Sequence, residues 1–166
     1  MEGTDSTSGA HVDPDEFRRA MSRLPTAVTV VTAIGDDGPA GLTANAVVSL
    51  SLDPALMLAC VDRGSRTLRA VEQAGRFGIS VLGAGDENVA RAFATKASQK
   101  EKWAGVAWSE QSGVPLLDDA EVRVACELEN VLAGGDHVIV TGKVLGVQTS
   151  DGAPLVFFEG AYRPLG

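Results

Sequence analysis

Most of the chain consists of short apolar segments separated by turn residues. These segments are rich in β-branched residues and end at turns such as GDDG and AGGD, a pattern typical of β-strands. One of them, ALMLACV, is almost wholly apolar, which predicts a strand buried on both faces. The predicted strands cover 27–34, 41–52, 55–61, 76–82, 121–132 and 137–148, and a final strand, LVFFEGAY, begins at Leu155.

Helical patterns are short and lie between the strands. Asp13 is a candidate N-cap, Pro14 fits the first helical position, and Glu16 completes a capping box. From Phe17 to Leu24 apolar residues recur at helical spacing, so a short amphipathic helix is predicted there. Two further helices are predicted, one capped by Ser65 and ending at Gly75, the other over about 86–95.

Strands outnumber helices, and many of them are joined by hairpin-length turns. This pattern favours a mainly β fold, a closed or nearly closed antiparallel barrel with short connecting helices, over a doubly wound parallel sheet. With 166 residues there is room for one domain, predicted over 13–166. Residues 1–12 are small, polar and free of periodicity, which predicts a disordered N-terminal tail.

Charge and cysteine content narrow the classes of function. Fourteen Lys and Arg against 22 Asp and Glu give a net charge of −8, which disfavours a nucleic-acid partner. Cys60 and Cys126 are too few for a disulfide framework and, with only His11 and His137 as histidines, no metal site is expected. No signal peptide and no membrane-spanning run is recognisable, so a cytoplasmic location is expected.

A glycine-containing segment, GAGDEN at 83–88, follows a predicted strand and precedes a predicted helix. This is the local context of a dinucleotide-binding fingerprint. Asn88 stands where the third glycine would be, however, and the repeated βαβ units of such a domain are missing. A plain strand-to-helix turn is therefore the favoured interpretation.

Small polar residues occur at every second position of the predicted strand 41–52. Thr43, Asn45, Ser49 and Ser51 are expected to share one face of it, with Ala44 on the other. Such a row suits a planar polar ligand laid against the strand. A solvated strand face is an equally simple interpretation, and the pattern leaves both open.

Two further places offer binding chemistry. Ser65, Arg66 and Thr67 open a predicted helix, where free backbone N–H groups and a guanidinium would suit a phosphate, although Ser65 caps the helix in either case. His137 stands where a tight turn enters an apolar strand. Its imidazole either satisfies a turn carbonyl or points into a cleft and donates to a ligand.

The chain resembles the short-chain flavin reductase family, whose members share the FMN-binding split-barrel fold. The resemblance runs from about Phe17 to Tyr162 and is specific because several segments occur in the family's order and spacing. These segments are FRRAMSRLPTAVTVVTA, GLTANAVVSLSLDPALMLACV, RFGISVL, ARAFATKASQKEKWAGVAW, GGDHVIVTGKV and PLVFFEGAY.

The resemblance implies roles for individual residues. The motif TxNxxxSxS lines the flavin ring in this family, and the helix start holds the phosphate. The residues implied for the flavin are Thr43, Ala44, Asn45, Ser49, Ser51, Cys60, Asp62, Ser65, Arg66, Thr67, Phe93 and Lys102. Those implied for the nicotinamide side are His137, which would be the catalytic residue, Phe158 and Tyr162.

The implied activity is that of an NAD(P)H:flavin oxidoreductase. Hydride would pass from NADH or NADPH to FMN or FAD, and the reduced flavin would diffuse to a partner monooxygenase. The protein would stack the two rings and shield them from water. A non-catalytic flavin carrier or sensor of the same fold is the alternative. An oxidase of the pyridoxamine-phosphate type is disfavoured by the acidic composition.

The sequence leaves the choice of flavin and the choice of nicotinamide donor open. Ala46 and Val47 stand where similar proteins often have Phe, which leaves FMN or FAD open, and no arginine identifies the nicotinamide donor. A small barrel has little interior room beyond its own side chains, so the flavin is expected at a groove between subunits. A homodimer is therefore predicted.

Overall fold

Twelve strands and four helices form the part of the chain that the computed structural model describes, residues 11–165. The helices are α1 (Pro14–Met21), α2 (Arg66–Ala74), α3 (Glu87–Ala94) and α4 (Gln99–Trp103). The strands are β1 (Thr26–Ala27), β2 (Thr29–Gly35), β3 (Gly38–Ala44), β4 (Val47–Leu52), β5 (Ala55–Asp62), β6 (Arg76–Val81), β7 (Trp108–Gln111), β8 (Val114–Leu117), β9 (Val122–Gly134), β10 (His137–Thr149), β11 (Leu155–Phe158) and β12 (Ala161–Pro164).

Seven strands pair in the order β3-β2-β6-β9-β10-β5-β4, and every pairing among them is antiparallel. The two edge strands, β3 and β4, are also neighbours in the chain, joined by residues 45–46 alone. A chain of three residue steps spans at most about 11 Å, so the two edges of the sheet must lie close together. The sheet therefore curls into a nearly closed barrel, which confirms the predicted mainly β, antiparallel split-barrel fold.

The inside of the curled sheet holds the larger apolar core. Fully buried β-branched and aromatic side chains from four strands meet there, among them Val31, Val61, Phe77 and Val140. α2 lies across this core with Leu68 and Val71 buried. A second cluster lies between α3, α4 and the three-stranded sheet β1-β11-β12, where the rings of Phe93, Trp103 and Trp108 meet edge to face.

Local end signals set the starts of α1 and α2 and the end of α2 as predicted, whereas α1 ends at Met21 rather than near Leu24 and α4 has no counterpart among the predicted helices. The Asp13 carboxylate accepts from the backbone N–H groups of Asp15 and Glu16 at 2.8 and 3.0 Å, and α1 begins at Pro14. The Ser65 hydroxyl accepts from Leu68 N at 3.0 Å. Gly75 ends α2 in the left-handed conformation, with φ 63°.

The predicted single strand 41–52 is wrong, because the chain forms two strands there. β3 ends at Ala44, and β4 begins at Val47 on the other edge of the sheet. Cys60 N donates to Ala46 O at 2.9 Å, which directs the chain to β5, and the β4–β5 register shifts between Ser49 and Ser51. Thr43 and the two serines therefore do not share a strand face.

Other elements depart from the predicted pattern or extend it. The final strand is a hairpin, β11 and β12, that turns at Glu159 and Gly160 with positive φ at both. ALMLACV lies next to the sheet edge, and only Ala59 and Val61 in it are buried, so it is not buried on both faces. Of the predicted tail, residues 1–10 lie outside the described part. Within residues 11–165 no helix has the length and apolarity of a membrane span.

Candidate functional site

A cavity of about 830 Å³ lies where the end of β3, the end of β5 and the start of α2 meet the segment between α3 and α4. Its volume is within the usual range of small-molecule sites. Twelve of the residues implied by the sequence line it: Thr43, Ala44, Asn45, Cys60, Asp62, Ser65, Arg66, Thr67, Phe93, Lys102, His137 and Tyr162. The fold thus brings together residues that are 119 positions apart in the chain, from 43 to 162.

The end of β3 supplies polar groups to one side of the cavity. The Thr43 hydroxyl donates to Ala90 O in α3 at 2.7 Å and so fixes the strand against that helix. Asn45 follows the last residue of the strand. Its Oδ1 is buried and has no hydrogen-bond partner among the described residues. An unpaired buried amide oxygen is costly, so this position favours a ligand that supplies a donor.

The start of α2 forms another side. Ser65 N donates to Asp62 O at 3.1 Å, and Gly64 N donates to the Asp62 carboxylate at 2.7 Å, so the entry turn is firmly held. The first N–H groups of a helix have no partner within it and attract anions. Thr67, 1% exposed, has a buried hydroxyl with no partner in the described chain. Thr67 also lines the cavity.

Lys102 brings a buried positive charge to the same cavity. The residue is 7% exposed, and its Nζ donates at 3.4 Å to Gly41 O and at 3.3 Å to Phe93 O. No carboxylate within residues 11–165 forms an ion pair with it. Burial, and secondarily the nearby Arg66 charge, lowers the Lys102 pKa. Arg66 also forms no ion pair within the described residues, and together with Lys102 it makes this part of the cavity suited to an anion.

His137 also lines the cavity, at the first position of β10 and directly across from Asp62, beside the turn that enters α2. Its Nδ1 lies 2.7 Å from the Asp136 carboxylate. That hydrogen bond, together with the charge of His137, lowers the Asp136 pKa. Because Asp136 occupies Nδ1, Nε2 is the ring nitrogen that remains for a ligand.

An aromatic pair closes the remaining side. The rings of Phe157 and Tyr162 pack with centroids 5.2 Å apart, and both line the cavity. Phe158, implied by the resemblance, is not among the lining residues. Successive side chains of a strand point to opposite faces, and Phe158 instead contacts the guanidinium groups of Arg23 and Arg163. The aromatic residue that sequence reasoning missed is Phe157.

Ser49 and Ser51 also lie outside the set of lining residues. Both belong to β4, and the chain leaves the cavity at residue 46 before that strand begins. The lining also includes residues without an earlier assignment, chiefly the segment 94–97 and Gln99, whose Oε1 accepts from Gly41 N at 2.9 Å. Their signal in the sequence is weak, since they lie at the ends of two short helices and in the connection between them.

Comparison with known proteins agrees with this geometry. Residues 21–166 match the model of a family described as flavin reductase like domain. The chain belongs to this flavin reductase family. The match covers nearly the whole described structure, including every residue that lines the cavity.

Several relatives are similar over most of their length. An NADH-dependent FMN reductase of Streptomyces nodosus subsp. asukaensis is 38% identical, over 98% of this chain and 91% of the relative. The reductase subunit of a flavin-dependent monooxygenase of Rhodococcus jostii is 32% identical, over 96% and 82%. A solved NADH:FAD oxidoreductase of Streptomyces globisporus, in complex with NAD and FAD fragments, has a TM-score of 0.85 at 34% identity, covering 94% of this chain and 96% of that one.

The cavity of this flavin reductase family member fits a flavin nucleotide. Such a ligand carries an edge of ring donors and acceptors at one end and a phosphate at the other. Asn45, with its unpaired oxygen, suits the ring edge. Thr67, Arg66 and Lys102 suit the phosphate, because they combine a hydroxyl without a partner among residues 11–165, two cations and a helix start.

Proposed function

We propose that this protein is an NAD(P)H:flavin oxidoreductase that reduces FMN or FAD with hydride from a nicotinamide donor. The observation that carries the proposal is the cavity itself. In it the Asn45 amide oxygen and the Thr67 hydroxyl, both without a partner among residues 11–165, lie in the same space as Arg66 and Lys102, which form no ion pair within that range. Family membership supports the same activity, since two of the relatives compared above are named as an NADH-dependent FMN reductase and an NADH:FAD oxidoreductase.

The proposed role of the protein is to hold and orient. Flavin and nicotinamide supply the hydride chemistry themselves when bound. Asn45 would fix the edge of the flavin ring, and the α2 start with Thr67 would hold the phosphate. Lys102 would neutralise its charge. No group in this arrangement has to act as a general base or a nucleophile.

His137 is the proposed residue for placing the nicotinamide. Its Nδ1 is engaged by Asp136, so Nε2 would donate to or accept from the nicotinamide donor. Tyr162 and Phe157 would form a wall beside that ring. With two aromatic faces and the imidazole around it, the donor would be held near the flavin and away from water.

A reductase of this kind would serve an oxygenase. The Rhodococcus relative is a reductase subunit of a flavin-dependent monooxygenase, which supports a monooxygenase as the partner, reached by diffusing reduced flavin. Cys60 and Cys126 are both free thiols, which supports a reducing compartment, the cytoplasm. The preferred flavin is found by comparing FMN with FAD as substrates, and the preferred donor by comparing NADH with NADPH.

We also propose that the protein is a homodimer. The edge strand β4 exposes Val48, Leu50 and Leu52, and the end of the β9–β10 hairpin exposes Val131 and Leu132. Apolar side chains on an open sheet edge are normally covered, and a second copy would cover them. Sedimentation should give the mass of a dimer, and the double variant V48D/L50D should give that of a monomer. V12D, which changes an exposed valine elsewhere, is the control, and a wild-type monomer would overturn the proposal.

The activity is tested by NADH consumption with purified protein, with and without added FMN or FAD. Turnover that depends on flavin is the expected result. H137A should keep its flavin affinity while turnover at low NADH drops steeply. Tight flavin binding without any NADH consumption would overturn the proposal in favour of a flavin carrier.

A further inference from the structure

An arginine of α3 supports the aromatic wall of the cavity from outside. The guanidinium carbon of Arg91 lies 5.1 Å from the centroid of the Tyr162 ring. Tyr162 packs in turn against Phe157, and both rings line the cavity. Within residues 11–165, Arg91 does not itself line the cavity. Its effect on the cavity must therefore pass through Tyr162.

Arg91 is itself held in place by a carboxylate one helical turn earlier. Its Nε and Nη2 donate to Glu87 Oε1 at 3.0 and 2.5 Å. Glu followed by a basic residue four positions later is the favourable order on a helix, and Glu87 also lies at the positive end of α3. These two bonds restrict the guanidinium plane over the ring.

The helix that carries Arg91 is fixed to the cavity at two other points. Ala90 O accepts from the Thr43 hydroxyl, and Phe93 O accepts from Lys102 Nζ. Tyr162, by contrast, belongs to the C-terminal hairpin, in a small sheet whose third strand has only two residues. The Arg91–Tyr162 contact therefore links α3 to the hairpin.

We propose that Arg91 is a positioning residue that holds Tyr162 in place as the wall of the nicotinamide site. The inference rests on the proposed function for the identity of the ligand. A cation over the Tyr162 ring stabilises one position of that ring. The nicotinamide nucleotide therefore does not have to order the ring when it binds. Loss of the cation weakens binding of the nicotinamide donor and leaves flavin binding and the chemical step unchanged.

The kinetic test uses R91Q, with R69Q as the matched control. Arg69 is an exposed arginine of α2, so R69Q removes the same charge from another helix. R91Q should raise the KM for NADH about two- to fivefold, the effect of an exposed cation–π contact, with kcat and the flavin Kd unchanged. E87Q should change KM in the same direction by less. An unchanged KM in R91Q, or equal changes in R91Q and R69Q, would overturn the proposal.

A spectroscopic test is independent of turnover, because Tyr162 is the only tyrosine in the chain. Protein labelled with 3-fluorotyrosine gives a single fluorine resonance that reports on this ring. In R91Q the resonance should shift toward that of free fluorotyrosine, and NAD⁺ should titrate it with a Kd two- to fivefold weaker. A resonance identical in wild type and R91Q would refute the role of Arg91. If the proposed function alone is wrong, the wild type consumes no NADH while the resonance still depends on Arg91.

Discussion

Replacement of Lys102 by Met separates the binding role of this buried cation from a structural one. Lys102 is 7% exposed, and its ammonium has no acidic partner in the described chain and donates only two long hydrogen bonds. Met keeps most of the volume of the side chain and removes the cost of burying a charge. The loss of the two bonds and the relief of that cost act in opposite directions. The free energy of unfolding of the unliganded protein should therefore change by less than about 1 kcal/mol.

Flavin affinity should respond much more strongly. A hydrogen bond to a charged group contributes about 1.5–3 kcal/mol, so K102M should weaken FMN binding about 10- to 150-fold. Titration by flavin fluorescence measures this Kd. Riboflavin, which lacks the phosphate, should bind wild type and K102M equally if the ammonium faces the phosphate.

The control for this prediction is K100M, on the same short helix. Lys100 is exposed and does not line the cavity, so K100M should leave both stability and FMN affinity unchanged. The reasoning is refuted if K102M binds FMN as the wild type does, or if it loses stability and affinity in parallel.

Three other predictions follow from the same buried groups. T67V should weaken FMN binding severalfold while the unliganded protein becomes no less stable, because the hydroxyl it removes has no partner in residues 11–165; thermal melts and FMN titration measure both. The lowered pKa of Lys102 means that the unfolded chain holds this proton more tightly. The contribution of Lys102 to stability should therefore rise with pH in the interval just below the usual value of 10.5. Because the raised pKa of Cys126 opposes this rise in the same interval, urea unfolding should show it as a pH-dependent difference between wild type and K102M. Burial raises the pKa of Cys126 to about 12, so a thiol reagent at about pH 8 should leave it unmodified while the more accessible Cys60 reacts, and mass spectrometry locates the adduct. Reaction at Cys126 in the folded protein would contradict the last prediction.

The parts of the fold that local sequence signals determine could be predicted. Asp13, Ser65 and Gly75 set helix ends through contacts within a few residues, and the structure has those ends where the sequence predicts them. The number of apolar segments and the short turns between them were enough to predict an antiparallel barrel.

The features that were missed depend on contacts between distant residues. The alternation of small polar and apolar residues continues through 45–46, so nothing local reveals that β3 ends at Ala44. The break is set by pairing with β5, which comes later in the chain. Likewise, which of Phe157 and Phe158 faces the cavity depends on the register of β11 against β1 and β12. Lys102 was identified through the family resemblance, since its helix is too short to show periodicity.

The most direct test of the central claim is an anaerobic mixing experiment. Purified protein, equimolar flavin and NADH are combined without oxygen, and the absorbance of oxidised flavin and of NADH is followed together. The account predicts that flavin absorbance bleaches as one NADH is consumed per flavin, much faster than without protein. Flavin that binds to the protein yet stays oxidised in the presence of excess NADH would contradict it.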